Sequence, residues 1–154
     1  RSRLMVIDAL MGIQDGQNPR VIVMERTNAR YLKADALPER VDLITIDVSF
    51  ISLKIVVPAV IKFMKPSAAI LALIKPQFEV GKGQVGKGGV VRNPQLHEQV
   101  IQTLTDYFRS WQLKPESVYP SPLAGSKGNR EFFMLLRAER CISESDCSGL
   151  PGKG

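Results

Sequence analysis

The order of apolar and helical segments along the chain is typical of a doubly wound α/β sheet. Short apolar runs that stop abruptly at a charged residue alternate with segments of helical character, as expected for parallel strands covered by helices. The clearest run, residues 41–47, ends in Asp47, and a second run, residues 68–74, is followed at once by Lys75. Because open α/β sheets bind ligands at the carboxyl ends of their strands, Asp47 and Lys75 are candidate site residues.

Four further segments complete the predicted sheet. They are short, apolar and bounded by turn-forming residues, and they cover residues 4–7, 20–24, 117–119 and 131–136. The first is followed by Asp8 and the last opens with Glu131. Together with Asp47 and Lys75, these residues gather opposite charges at one edge of the sheet, which predicts a site there.

Two helices are predicted between the strands. Residues 52–64 are apolar nearly all round, as in a buried helix, and Pro58 within them indicates either a late start or a kink. Asn93 followed by Pro94 is a strong helix start. The one histidine, His97, lies in the first turn of this helix, where we expect a surface or helix-start role and no catalysis. Apolar residues recur on one face of the same helix: Leu96, Val100, Ile101, Leu104, Phe108 and Trp111.

Composition indicates one globular domain with an excess of positive charge. Of the 154 residues, 44% are hydrophobic and 23% are charged, and 21 Lys and Arg against 15 Asp and Glu give a net charge of +6. This charge favours a polyanionic partner such as nucleic acid. Apolar stretches end well before the ~20 residues that cross a bilayer, and the amino terminus lacks a secretory signal. A cytoplasmic protein without membrane contact is therefore expected.

The last residues of the chain differ in composition from the rest. Beyond Arg140 they are rich in Ser and Gly without periodicity, which predicts a domain over residues 1–140 and a disordered tail over residues 141–154. Cys141 and Cys147 both lie in this tail with no histidine nearby, so we expect free thiols and no metal site. The oligomeric state is not indicated by the sequence.

A glycine-rich loop, residues 79–93, matches two nucleotide-binding patterns incompletely. Its glycines fit G-x-G-x-x-G, but the helix that should follow at once begins only at the end of the loop. It also fits most of a P-loop, but Gly88 stands where a Ser or Thr must reach magnesium. Two interpretations stay open: a lid whose Lys82, Lys87 and Arg92 meet a phosphate backbone, or a solvated loop with incidental charge.

Four stretches between about residues 20 and 137 together resemble a known family. They are VIVMERTNARYL, VDLITIDVSFISLK, LIKPQFEVGKGQVGKGGVVRNPQLH and SPLAGSKGNREF. In content and order they are similar to the hemolysin A type (TlyA) ribosomal RNA 2′-O-methyltransferases of the FtsJ-like superfamily. The resemblance implies a Rossmann-like methyltransferase domain that binds S-adenosylmethionine and methylates a ribose of ribosomal RNA.

The resemblance also implies the roles of site residues. The superfamily uses a Lys-Asp-Lys-Glu tetrad, and Asp47, Lys75 and Glu131 match its Asp, its second Lys and its Glu. Lys75 is then expected to orient or deprotonate the ribose hydroxyl. Asp47 is expected to position this lysine and to lie beside the methyl donor, and Glu131 is expected to hold the network. Asp8 and Asn28 match the positions that contact the ribose and the adenine of the cofactor.

Several features of the family have no counterpart in this sequence: the first Lys of the tetrad, the glycine-rich turn after the first strand, and the amino-terminal S4-like RNA-binding domain. A methyltransferase sheet without its first strand would have a gap in its middle. Either residues 4–7 fill that position or the chain is a fragment of a longer protein, and the fragment is the interpretation we favour.

Plainer explanations of the same residues support a competing function. Taken singly, Asp47 could cap a helix, Lys75 could be a solvated strand end, Glu131 a surface charge and Asn28 a turn residue. Two functions therefore compete: an S-adenosylmethionine-dependent RNA methyltransferase, and a noncatalytic RNA-binding domain with the same fold.

Overall fold

A computed structural model describes residues 2–8, 22, 24 and 27–139, and within them five strands form one sheet. The strands are β1 (Leu4–Asp8), β2 (Val41–Asp47), β3 (Met64–Ile74), β4 (Leu113–Pro120) and β5 (Phe132–Ala138). Their order across the sheet is β1-β2-β3-β5-β4. The first three strands are parallel, whereas β5 is antiparallel to both of its neighbours. The carboxyl ends of β1, β2 and β3 therefore meet at one edge, where β5 begins.

Strand β1 occupies the position next to the central strand β2. The two pair in parallel along the whole of β1, with Asp8 opposite Asp47. The Arg3 backbone N–H donates to the Asp42 carboxylate at 2.7 Å, and the Arg3 side chain forms an ion pair with Glu39 at 2.9 Å. In this structure the sheet thus has no gap between β1 and β2, because residues 4–8 fill that position.

Helix α2 (Pro94–Ser110) follows β3 and the glycine-rich loop. The Asn93 side chain caps it by accepting a hydrogen bond from the Gln95 backbone N–H at 2.9 Å. Proline suits the first turn because the N–H groups there have no partner within the helix. The predicted start and apolar face are confirmed, with three residues of that face fully packed: Val100, Leu104 and Phe108.

Helix α1 (Leu53–Val60) follows β2 and is shorter than the predicted segment 52–64. The Ser52 side chain caps it, so the helix does not start late, and Pro58 lies inside it. A 3-10 turn, Ile61–Phe63, replaces the last predicted helical turn before β3 begins. Because this segment is apolar on every side, the sequence predicts that it is buried but does not indicate the residue at which the helix ends.

The predicted α/β class is confirmed, and the described helices lie on one face of its sheet. Both α1 and α2 contribute to a single apolar cluster with the strand residues that point toward them, including Ile44, Ile46, Ile70, Ile74, Met134 and Leu136. On the opposite face Leu4 is 60% exposed and Val6 is 47% exposed. The described part of the chain therefore shows helical cover on one side of the sheet.

Strand boundaries differ from the prediction in β3 and β4. Residues 65–67, predicted as a turn, lie within β3, but the pairing with β2 shifts register there. Pro66 falls in this irregular part, and proline has no backbone N–H with which to donate a hydrogen bond to a neighbouring strand. Strand β4 extends well beyond the predicted residues 117–119. The strand predicted over residues 20–24 lies largely outside the described residues, as does the whole predicted tail.

Candidate active site

Asp47 and Lys75 form an ion pair at the carboxyl edge of the sheet. Asp47 ends β2, and Lys75 directly follows the neighbouring parallel strand β3. The Lys75 Nζ atom lies 2.6 Å from an Asp47 carboxylate oxygen and donates to the Ser49 Oγ atom at 3.1 Å. Lys75 is only 8% exposed. Its ammonium group is thus held in a fixed direction and largely out of water, as positioning a reacting group requires.

Glu131 joins this edge from β5. Ile74 pairs with Phe132 across β3 and β5, so Lys75 and Glu131 occupy the next position on these two neighbouring strands. Glu131 is 7% exposed, and its Oε2 atom accepts a hydrogen bond from the Gln77 side-chain amide at 3.0 Å. The structure therefore brings all three residues that match the tetrad to the same edge of the sheet.

Asp8 and Asn28, the two residues matched to cofactor contacts, come earlier in the chain than Asp47. Asp8 ends β1 beside Asp47, so two carboxylates stand at neighbouring strand ends. Asn28 begins the 3-10 turn Ala29–Tyr31, and its side-chain oxygen accepts a hydrogen bond from the Arg30 backbone N–H at 3.0 Å. Asn28 is thus a turn residue in this structure, and its contact with adenine stays a prediction.

The glycine-rich loop has a backbone conformation that explains its glycines without a nucleotide-binding motif. Gly83, Gly88 and Gly89 have φ angles of 85°, 79° and 80°, a region that side chains disfavour. The three candidate phosphate contacts are all exposed: Lys82, Lys87 and Arg92. Their exposure is compatible with both interpretations of the loop, contact with a phosphate backbone and simple solvation.

Asn129 anchors the end of this loop. Its Oδ1 atom accepts from the Val91 backbone N–H at 3.0 Å, and its Nδ2 group donates to the carbonyl oxygens of Gly89 at 3.0 Å and Ser126 at 3.1 Å. Asn129 is 1% exposed. Sequence analysis assigned it no role, because an asparagine between a glycine and a charged residue looks like an ordinary turn residue.

His97 is a second anchor of the loop. Of the two roles expected for it, the surface position is wrong, because the residue is buried at the start of α2. It is 5% exposed, its Nε2 atom donates to the Val91 carbonyl oxygen at 2.7 Å, and its ring centroid lies 5.5 Å from that of Phe132. The end of the glycine-rich loop folds over the first turn of α2 and covers it. This cover depends on tertiary structure, which helical spacing does not reveal.

Glu79 ties the start of the loop to α1. Its carboxylate accepts hydrogen bonds from the Leu53 backbone N–H at 2.9 Å and from the Ser52 Oγ atom at 2.7 Å. Burial raises the pKa of Glu79, although these two hydrogen bonds act in the opposite direction. The loop is therefore fixed at both ends, by Glu79 before it and by Asn129 and His97 after it.

Phe50 is an exposed aromatic residue beside the site that sequence analysis did not single out. Its side chain is 90% exposed, and its backbone has a φ angle of 62°, which is unfavourable for a residue other than glycine. Its ring centroid lies 4.7 Å from that of Phe78. Because Phe50 directly follows Ser49, which contacts Lys75, this flat apolar surface lies next to the ion pair of Lys75 and Asp47. No sequence pattern signals a positive φ at a phenylalanine.

Neither a metal-binding group of side chains nor a membrane-spanning helix is found among the described residues. Within the described ranges, no group of three or more His, Cys, Asp or Glu side chains could hold a metal ion. No helix in that same part of the chain is both long enough and apolar enough to cross a membrane. Cys141 and Cys147 lie outside the residues that the structure describes.

A sheet of three parallel strands with an antiparallel strand, β5, inserted beside β3 is the arrangement of a Rossmann-like methyltransferase domain. The family model for FtsJ-like methyltransferases matches residues 7–138. The chain therefore belongs to the FtsJ-like methyltransferase family.

Comparison with individual proteins confirms the resemblance found in the sequence motifs. The chain is 48% identical over 122 residues to the 16S/23S rRNA (cytidine-2′-O)-methyltransferase TlyA of Mycobacterium tuberculosis, covering 79% of this chain and 46% of the relative. It is 40% identical over 121 residues to YqxC of Bacillus subtilis, provisionally named an rRNA methyltransferase, covering 78% of this chain and 43% of the relative. The chain thus spans about half the length of the curated relatives it matches.

A solved structure shows the same fold. A protein from Streptococcus thermophilus, provisionally named a hemolysin, superimposes with a TM-score of 0.75 at 34% sequence identity. The match covers 86% of this chain and 50% of that one. The likeness therefore extends over nearly all of the present sequence.

Proposed function

We propose that residues 1–140 form the catalytic domain of an S-adenosylmethionine-dependent methyltransferase that modifies a ribose 2′-hydroxyl of ribosomal RNA. The observation that carries this proposal is the ion pair of the buried Lys75 with the partly exposed Asp47, with Glu131 at the same sheet edge. Membership of the FtsJ-like family supports the reaction class. The name of the Mycobacterium tuberculosis relative, an rRNA (cytidine-2′-O)-methyltransferase, supports the choice of substrate.

Methyl transfer to a hydroxyl needs alignment and removal of a proton. S-adenosylmethionine, when bound, supplies the methyl group in activated form. Lys75 orients the ribose hydroxyl as an ammonium group, or takes its proton when the amine is in its neutral form, and Asp47 and Ser49 fix the direction of the Lys75 side chain. Positioning of this kind contributes much of the rate in such displacements. Glu131 lies at the same sheet edge, where it accepts a hydrogen bond from Gln77.

The acidic residues at the strand ends suit this cofactor. Asp8 and Asp47 are paired positions at neighbouring strand ends, and two carboxylates there favour a ligand that carries positive charge and hydroxyl or amino donors. S-adenosylmethionine carries both. Asp8 is proposed to contact its ribose, Asp47 to lie beside the methyl donor, and Asn28 to contact its adenine.

RNA contacts are proposed on the exposed surface around this edge. Lys82, Lys87 and Arg92 present cations on the glycine-rich loop, and such side chains bind a phosphate backbone. The exposed ring of Phe50 offers a surface on which an unpaired base can stack. The net charge of +6 supports the same type of partner.

The decisive experiment compares Lys75→Ala with Lys65→Ala. Both lysines pair with an aspartate of β2, but Lys65 contacts Asp42 at 3.1 Å at the opposite end of β3. Transfer of a radioactive methyl group to unmodified ribosomal subunits should fall at least ~100-fold in Lys75→Ala, the range typical for general acid–base groups. Lys65→Ala should retain near-normal transfer. Cofactor affinity, measured by calorimetry, should change by less than about threefold in either variant.

Two outcomes would contradict the proposal. Normal transfer by Lys75→Ala would exclude this lysine from the reaction. Failure of the protein to bind S-adenosylmethionine, combined with retained RNA binding, would favour the noncatalytic RNA-binding domain instead.

A further inference from the structure

Gln77 makes an incomplete set of hydrogen bonds at the candidate site. Its Nε2 group donates to the Glu131 carboxylate at 3.0 Å. Its Oε1 atom is buried and has no hydrogen-bond partner among the described residues. Turning the amide over would place its carbonyl oxygen against the carboxylate, so the charge of Glu131 dictates the orientation seen. A buried acceptor without a partner is unfavourable, so the hydrogen bond to Glu131 is kept at the expense of the other end of the amide.

Gly125 leaves the space that the Glu131 carboxylate fills. A Cβ atom built on Gly125 would lie 2.1 Å from Oε2 and 2.3 Å from Cδ of Glu131. These separations are far below any real contact, so even alanine at position 125 would displace the carboxylate by about 1 Å or more, because packed atoms cannot overlap. The Gly125 φ angle of −77° is open to any residue. The requirement for glycine here is therefore one of space alone.

We propose that Gln77 and Gly125 are positioning residues for Glu131 in the methyl transfer, an inference that rests on the proposed function. Gln77 holds the carboxylate by its donated hydrogen bond, and Gly125 admits it by having no side chain. Both residues therefore act on the reaction through the position of the Glu131 carboxylate.

Both residues act on methyl transfer through Glu131. Gly125→Ala displaces the carboxylate, so kcat should fall about 100-fold while KM for RNA stays within about twofold, because a displacement of about 1 Å has this effect on aligned groups. Gln77→Met keeps the side-chain length but removes both polar atoms. It should lower kcat at least tenfold, again with KM for RNA within about twofold. Gln102→Met is the matched control, since that exposed amide only contacts Asp106 on α2, and it should match the wild type.

A stability cycle tests the steric part independently of catalysis. Gly125→Ala should lower the melting temperature of the wild-type protein, but it should cause no such loss in a Glu131→Ala background, where the clashing carboxylate is gone. Equal destabilisation in both backgrounds would overturn the assignment of Gly125.

The kinetic outcomes distinguish this inference from the proposed function. If the wild-type protein transfers no methyl group to ribosomal subunits, both the proposed function and the positioning roles are overturned. If the wild type is active and Gln77→Met and Gly125→Ala are equally active, the positioning roles alone are overturned.

Discussion

Replacement of Asn129 by alanine should loosen the glycine-rich loop and destabilise the whole domain. The Asn129 side chain accepts from one backbone N–H and donates to two carbonyl oxygens, and it is almost fully buried. Two of these three backbone groups belong to the loop itself, at Gly89 and Val91. Without the asparagine side chain, a buried N–H and two partly buried carbonyl groups lose a partner at once.

The magnitude follows from these contacts. At a net ~1 kcal/mol for each hydrogen bond, Asn129→Ala should lower the free energy of unfolding by about 3 kcal/mol. For a domain of this size that corresponds to a fall in Tm of about 6–12 °C. Asn129→Asp should cost at least as much, because its second carboxylate oxygen would face the carbonyl oxygens of Gly89 and Ser126.

Urea unfolding at neutral pH measures this free energy directly. Asn93→Ala is the matched control, because Asn93 makes one exposed capping hydrogen bond and its loss should cost only about 1 kcal/mol. The reasoning would be refuted if Asn129→Ala were no more destabilising than Asn93→Ala. It would also be refuted if Asn129→Asp were as stable as the wild type.

Two further predictions concern pH and salt. Because burial raises the pKa of Glu79, the folded state holds that proton more tightly than the unfolded state. The contribution of Glu79 to stability should therefore be greatest below the ordinary glutamate pKa and should fall as pH rises through the raised pKa. Glu79→Gln should abolish this part of the pH dependence in urea midpoints measured from about pH 4 to about pH 8, and an unchanged profile would argue against it. Replacing Lys82, Lys87 and Arg92 together by alanine should reduce the salt dependence of RNA binding, lowering the slope of log K against log salt by about 2 for single-stranded RNA. A slope equal to that of the wild type would show that these cations are only solvated.

The elements that the sequence predicts well are those determined by neighbouring residues. Asn93 and Pro94 specify a helix start by their own chemistry, and α2 begins where they predict. The meeting of Asp47 and Lys75 was also predictable, because adjacent parallel strands bring their carboxyl ends to one edge. In both cases a short stretch of sequence contains the whole physical cause.

The features that escaped prediction depend on residues far apart in the chain. His97 is buried because the end of the glycine-rich loop folds onto the first turn of α2. Gly125 matters because the Glu131 carboxylate fills the space beside it, and a glycine in a polar loop gives no sign of this. Phe50 adopts a positive φ that a phenylalanine would not adopt without constraint from its surroundings. Each of these facts becomes visible only when the sheet edge is assembled.

Anchoring at both ends limits which part of the glycine-rich loop can move. With Glu79 fixed at its start and Val91 held by Asn129 and His97 at its end, only the exposed middle is free to shift. Loop motions of this kind take nanoseconds to microseconds. The middle of the loop would therefore pass through its accessible conformations many times before any process that takes milliseconds is complete.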